Sequence, residues 1–155
     1  MKTMENIKRI LIVIRLSQDN IAGLRHGVAL AKLFHAELFA LRIFSHPVNM
    51  AAVNVPGFSV GYANYLSVRD EYKEELDKAI NKVVGDGFPI KEFVTDKDPL
   101  SEIMRTVKEE KIDLVVALAH EEGVLEHTMF GGENDALIRK LPCSVLLVKH
   151  EPRQA

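Results

Sequence analysis

Cysteine, tryptophan and excess charge of either sign are what this sequence has least of. One of its 155 residues is cysteine, Cys143, and none is tryptophan. A single thiol excludes an intrachain disulfide and any metal site built on several cysteines. Aromatic residues make up only 6% of the chain, so its core must be aliphatic. Twenty basic side chains stand against 22 acidic ones, a net charge of -2. That balance excludes the broad basic face needed to hold nucleic acid or an anionic membrane surface. The longest apolar run, Leu114–Ala119, has six residues, far short of the roughly 20 that span a bilayer. The apolar stretch Ile10–Ile14 is too short for the core of a secretory signal and is closed by Arg15. The expectation is a single cytoplasmic domain over residues 1–155, large enough to bury about 70% of its unfolded-state surface.

What is present is an alternation of two kinds of segment. Ile10–Ile14 is a continuous β-branched run, the pattern of a strand buried on both faces. Ser17 and Asn20 offer caps for a helix with Ile21, Leu24, Val28, Ala31 and Phe34 at helical spacing. Gly23 and Gly27 lie inside that helix, and close packing against a neighbour is the reason expected for both. Leu38–Phe44 reads as a second strand. Tyr65–Val84 reads as a long amphipathic helix stopped by Gly85. Ile90–Thr95 is a more polar strand, expected at the outside of the sheet. Asp98-Pro99 starts the next helix, with Ile103, Met104 and Val107 inward. Leu114–Leu118 is a buried strand. A glycine-containing charged loop, a short helix over about 133–141 and a last strand, Ser144–Val148, close the chain. Strand–helix alternation with buried strands implies right-handed crossovers and a parallel sheet covered on both faces. Ser45–Asn64 fits no element and is expected to be a packed loop or a contact surface.

This order of pieces resembles the universal stress protein family. The similarity rests on Ile10–Ser17 followed by an alanine-containing helix and Ala36-Glu37-Leu38, on Asp98-Pro99 with Glu102-Ile103, and on Asp113–Val116. It is clearest from Leu118-Ala119-His120 through Gly131-Gly132 to Leu141-Pro142-Cys143 and the last strand. The resemblance implies an α/β fold of the adenine-nucleotide α-hydrolase type: an open five-stranded parallel sheet in the order 3-2-1-4-5. Strands 1 and 4 would then flank the crevice where ligands of open α/β sheets sit. In nucleotide-binding members ATP lies there. An aspartate ends strand 1, and a glycine motif after strand 4 brings backbone N–H groups to the phosphates.

This chain keeps the length of that motif and loses most of its residues. Arg15 stands where the aspartate is expected, although Ser17 is retained. Leu118 and Glu121 occupy the first two glycine positions, Gly131 keeps the third, and Gly132 replaces the hydroxyl residue. Lys97 replaces a glycine common before the third helix. The candidate nucleotide- or anion-binding set carried by the resemblance is Val13, Arg15, Ser17, Ile43, Leu118, Glu121, Gly131, Gly132 and Glu133. A helix N-terminus gains a bound anion about 0.3–2 kcal/mol. One carboxylate about 4 Å from a phosphate costs about 4 kcal/mol per charge pair at an effective dielectric near 20. With Glu121, Glu122, Glu126, Glu133 and Asp135 in or beside the loop, ATP or AMP is not the favoured cofactor, and none is expected. Arg15 is expected to pair with Glu121 or Glu122.

Other constellations point to structure before chemistry. His120, Glu121, Glu126 and His127 match no recognised metal spacing. Cys143 follows no catalytic pattern and opens a strand, where cysteine behaves as a small apolar residue. The acid pairs Glu74-Glu75 and Glu109-Glu110 read as solvated helix faces. No residue supplies the nucleophile or base of an enzyme, so a weak ATP or phosphoester hydrolase ranks last among the alternatives. The last strand, Ser144-Val145-Leu146-Leu147-Val148, is expected at the sheet edge, paired with its copy in a homodimer. The function expected is a non-catalytic, dimeric stress-response module with unidentified protein partners. The alternative is a protein that holds a nucleotide or small anion between strands 1 and 4.

Overall fold

A computed structural model describes residues 6–14, 21–43, 59–85, 87–119 and 139–149. Their elements run β1 (Arg9–Ile14), α1 (Ile21–Phe34), β2 (Glu37–Ile43), α2 (Ser59–Val84), β3 (Ile90–Thr95), α3 (Pro99–Glu109), β4 (Leu114–Ala119) and β5 (Ser144–Lys149). The strands form one sheet in the order β3-β2-β1-β4-β5, and every neighbouring pair is parallel. The expected architecture and strand order are both found.

The apolar runs explain the layering. Residues alternate across the pleat of a strand, so each central strand feeds two cores. Ile10, Ile12 and Ile14 of β1 pack with Leu38 and Ala40 of β2 under Leu24 and Val28 of α1 and Leu76 and Ile80 of α2. Leu11 and Val13 turn the other way, with Phe39, Leu41 and Ile43, to meet Ile103 and Val107 of α3. Helices therefore cover both faces. The polar strand β3 lies at one edge and β5 at the other.

Local signals set the ends of the helices. Asp98 caps α3, its Oδ2 accepting from Ser101 N at 2.9 Å and Ser101 Oγ at 2.7 Å, with Pro99 in the first turn. Gly85 ends α2 at φ +65°, a left-handed conformation that glycine adopts without a Cβ clash. Helix α2 begins at Ser59, six residues before the expected start. Once nucleated, a helix extends cheaply, and after Pro56-Gly57 no proline interrupts it. Of the expected short helix over 133–141 only residues 139–141 are described; Arg139 and Lys140 are helical and Leu141 is not.

Of the two glycines in α1, Gly27 meets the expectation. A Cβ added there would stand 2.5 Å from Ile12 Cγ1, so the helix lies on β1 only because that atom is missing. Gly23 is also buried, and no described atom lies within 4 Å of the corresponding position there.

At the amino end of the sheet, Asp113 joins the two central strands. Its Oδ2 accepts from the backbone N–H groups of Lys8 at 2.9 Å and Arg9 at 3.0 Å. The Asp113 N–H in turn donates to Arg9 O at 2.8 Å.

Candidate functional site

The crevice implied by the sequence lies where β1 and β4 run side by side. Their register pairs Ile10 with Leu114 and Val13 with Ala117. Leu118 follows one residue beyond, opposite Val148 of β5. On the other flank Ile14 pairs with Arg42, and Ile43 ends β2. Val13, Ile43 and Leu118 are thus gathered at the carboxyl ends of three adjacent strands. Val13 and Ile43 are buried in the core beneath α3, together with Ala117. Arg15, Ser17, Glu121, Gly131, Gly132 and Glu133 lie outside the described residues, as do Glu122, His120, Glu126 and His127. The expected Arg15 pairing falls outside them too. Among the described residues, no group of three or more His, Cys, Asp or Glu side chains is placed to hold a metal ion.

Arg42 was not anticipated. It projects from β2 onto the face covered by α2, where its Nη2 donates to Glu75 Oε2 at 2.8 Å. The guanidinium carbon lies 5.2 Å from the centre of the Tyr72 ring, a cation–π distance. Its side chain is only 9% exposed while that of Glu75 is 58% exposed, and Arg42 Nε has no hydrogen-bond partner among the described residues. Glu75 is exposed, as expected from the sequence, and has in addition a partner the sequence did not reveal: a cation inside an aliphatic layer needs a counter-charge. Glu109 is exposed in the same way, whereas Glu110 is only 23% exposed and departs from the expectation. Glu109 pairs with Arg105 at 2.8 Å, and Glu110 takes Lys91 Nζ at 3.0 and 3.1 Å.

A polar cleft of about 480 Å³ opens at the carboxyl end of β3, between α2 and α3. Its walls carry Arg69, Asp70 and Lys73 from α2, Glu92 from β3, Asp96 and Lys97 from the following turn, and Glu102 and Arg105 from α3. Lys97, where the family resemblance places glycine, donates its backbone N–H to Thr95 Oγ1 at 3.2 Å. Glu102 is buried and receives Arg105 Nη2 at 2.8 Å and Nε at 3.2 Å. The hydrogen bond from Arg105 holds its carboxyl below the usual carboxylate range, against the opposing pull of burial. Glu92 moves the other way, to about 7, chiefly through burial and then through its hydrogen bond with Asp77 and the charge beside it. The sequence signal for this cleft is the charged turn Thr95-Asp96-Lys97-Asp98 beside an edge strand interrupted by Lys91-Glu92.

A larger hollow, about 930 Å³, lies at the opposite, amino end of the sheet, among Arg9, Lys32, His35, Phe39, Lys91 and Glu110. Lys91 spans it between Glu110 and the rings of Phe39 and Phe93, 5.9 and 5.4 Å away. Arg9 Nη1 donates to Glu110 O at 3.0 Å.

Strand β5 occupies the edge, as the expected interface requires. Leu146 and Leu147 are 37% and 39% exposed, one on each face, and Ser144 is exposed beside them. Val145 is half-buried against the α3-side core, and Val148 turns into the opposite core. Cys143 packs against the α3-side core, in keeping with a small apolar role.

Comparison with known proteins agrees with this geometry. The model of the universal stress protein family matches residues 6–149. The universal stress protein MJ0531 of Methanocaldococcus jannaschii is 25% identical over 152 residues, covering 97% of this chain and 87% of its own. Among solved structures, the hypothetical protein MJ0577 superposes with a TM-score of 0.69 at 23% identity, over 94% of this chain and 98% of that one. A universal stress protein from Archaeoglobus fulgidus, solved in complex with dAMP, superposes with a TM-score of 0.56 at 18% identity, over 92% and 98% of the two chains. With the family's pattern matched across nearly the whole chain and its strand order reproduced in the sheet, this chain belongs to the universal stress protein family.

Proposed function

We propose that this protein is a non-catalytic, dimeric member of its family that does not hold ATP in the manner of the nucleotide-binding members. The observation that carries this reading is the position of Leu118. Strand β4 brings it to the mouth of the crevice beside β1, where a nucleotide-binding relative is expected to have glycine. A residue with a Cβ and an isobutyl group there denies a phosphate the close backbone approach that glycine permits. The sequence supports the same reading through Arg15 in place of an acid and Glu121 in place of a second glycine. The described strand ends add only apolar groups, Val13 and Ile43, and neither is a nucleophile or a base. Dimerisation rests on the apolar, partly exposed edge of β5.

Equilibrium dialysis with ATP and magnesium tests this directly. The expected dissociation constant is weaker than about 100 μM, and a value near 1 μM, about -8 kcal/mol, overturns the reading. Restoring the residues by Arg15→Asp, Leu118→Gly, Glu121→Gly and Gly132→Ser should bring affinity back. A quadruple variant that gains none places the cause elsewhere in the chain.

A second reading is favoured by Arg15 itself. One cation at the end of β1 suits a ligand with a single phosphate better than one with three, and the structurally similar Archaeoglobus protein was solved with dAMP. On this reading AMP binds where ATP does not, and Arg15→Ala abolishes the difference.

A further inference from the structure

Arg9, on β1, is held by one corner of its guanidinium and leaves an edge of it unused. Its Nη1 donates to Glu110 O at 3.0 Å, which fixes the group against the end of α3. No described residue takes a hydrogen bond from its Nε or Nη2. The Glu37 carboxylate stands 4.0 Å from Nε, beyond hydrogen-bond reach, and at 68% exposure it is free to turn away. The Nε–Nη2 edge is the fork that matches the two oxygens of a carboxylate. Arg9 also lines the hollow of about 930 Å³ at the amino end of the sheet. We propose that this hollow binds an organic monoanion, a carboxylate carried on an apolar body, whose head is gripped by the free edge of Arg9.

Charge and lining both suit such a ligand. Among the Lys, Arg, Asp and Glu side chains of the hollow, Lys91 and Glu110 cancel, with Nζ 3.0 and 3.1 Å from the two carboxylate oxygens. Arg9 and Lys32 then stand against Glu37, and Lys32 forms no ion pair with a described residue. A single surplus positive charge suits a monoanion and does little for a polyphosphate. Helices α1 and α3 end here, and bare C-terminal carbonyls would repel an anion. They are answered within the fold: Ala36 N–H takes Ala31 O at 2.9 Å, and Arg9 takes Glu110 O.

Behind these charges the lining is apolar. Ala31, Leu38 and Phe39 are buried there, and Phe88 and Ile90 are half-buried. An apolar lining with a few polar groups, in a volume of roughly 300–1,000 Å³, is the usual form of a small-molecule pocket. Inorganic phosphate would leave that lining unfilled, whereas an arenecarboxylate or a medium-chain fatty acid covers it. The hollow lies at the opposite end of the sheet from the crevice between β1 and β4, so this inference does not depend on what binds there.

Amide NMR of the full-length, nitrogen-labelled chain titrated with naphthoate tests the site. Amides of Lys32, Glu37, Phe39 and Lys91 should shift together and saturate with a dissociation constant of about 1 mM or tighter. Naphthamide, which keeps the rings and loses the charge, should bind about tenfold more weakly. Decanoate run beside naphthoate distinguishes a chain-shaped body from a ring-shaped one, and saturable binding of either supports the proposal. Arg9→Lys keeps the charge but removes the fork, and should weaken binding about tenfold. Two exposed positions give variants that leave the fold alone: Lys32→Ala should weaken binding about threefold, and Glu37→Gln should tighten it by a similar factor. Failure of both acids to saturate by about 10 mM overturns the proposal. So does naphthamide binding as tightly as naphthoate, displacement of naphthoate by equimolar inorganic phosphate, or unchanged affinity in Arg9→Lys or in Glu37→Gln.

Discussion

Arg42 Nη2 and Glu75 Oε2 lie 2.8 Å apart, joining the interior of the sheet to the middle of α2. The two ends of this pair are unequal, since the guanidinium is nearly enclosed and the carboxylate faces solvent. Removing Glu75 leaves a desolvated cation with, among the described residues, the Tyr72 ring beside it. Glu75→Ala should therefore destabilise the protein by about 2–4 kcal/mol, read as a lower midpoint in urea. Arg42→Met removes the buried charge and keeps the volume, so it should cost less than about 1 kcal/mol. Equal losses in the two variants would show that the pair is not desolvated as described.

The Asp98 cap should leave a signature at low pH. The backbone N–H of Ser101, and after it the Ser101 hydroxyl, hold the Asp98 carboxyl below its ordinary value of 3.8. In the window between the lowered folded value and 3.8 the unfolded chain binds more protons, so stability rises with pH. The contribution is complete above that window and is lost as pH falls through the folded value. Asp98→Asn retains an acceptor and should flatten this part of the acid denaturation curve. Asp98→Ala removes the cap and should cost about 1 kcal/mol at neutral pH.

Gly27 is the position where an added methyl group should do most harm. Helix propensity alone predicts that Gly27→Ala gains about 1 kcal/mol. The contact with Ile12 predicts an overpacking cost of about 1–3 kcal/mol, which wins because the obstructing atom belongs to a side chain held inside the sheet core. A lower thermal midpoint in Gly27→Ala is the expected result, and Gly27→Ala should cost less when added to Ile12→Ala, which removes both obstructing carbons, than when made alone. A more stable Gly27→Ala would mean that α1 can move away from β1 at little cost.

At the other edge of the sheet, the proposed dimer should respond to charge. Leu146→Lys together with Leu147→Lys alters two partly exposed side chains and leaves Val148 in the core. Light scattering after gel filtration should show a dimer for the parent chain at tens of micromolar (about 10–100 μM) and a monomer for the double variant. A monomeric parent chain would refute the interface. A dimeric double variant would move it to another surface.

How legible these features were in the sequence depended on how local their causes are. β1 and β4 hold continuous apolar runs, which only a strand covered on both faces accommodates, and α3 announces itself through Asp98-Pro99. The strand order came from family resemblance, because nothing in a run such as Ile10–Ile14 says which strand lies beside it. Arg42 was hidden in the apolar strand Leu38–Phe44, and Glu75 among acids on an apparently solvated helix. Their pairing exists only once α2 is laid across β2. Within the crevice, Val13, Ile43 and Leu118 fall where the resemblance put them, because strand register carries them there.

Asp113 bears on how this chain could diverge from its relatives. Its carboxylate grips the start of β1 from the start of β4 across more than a hundred positions of sequence, at the end of the sheet away from the crevice. A one-residue slip between the central strands would break that grip and turn every side chain of a strand to the wrong layer. Alignment of the two strands is thus secured far from the ligand end. Residues at the ligand end are under no obligation to maintain it. Substitutions at the carboxyl ends of β1 and β4, Leu118 among them, therefore reshape the crevice without loosening the alignment of the two strands.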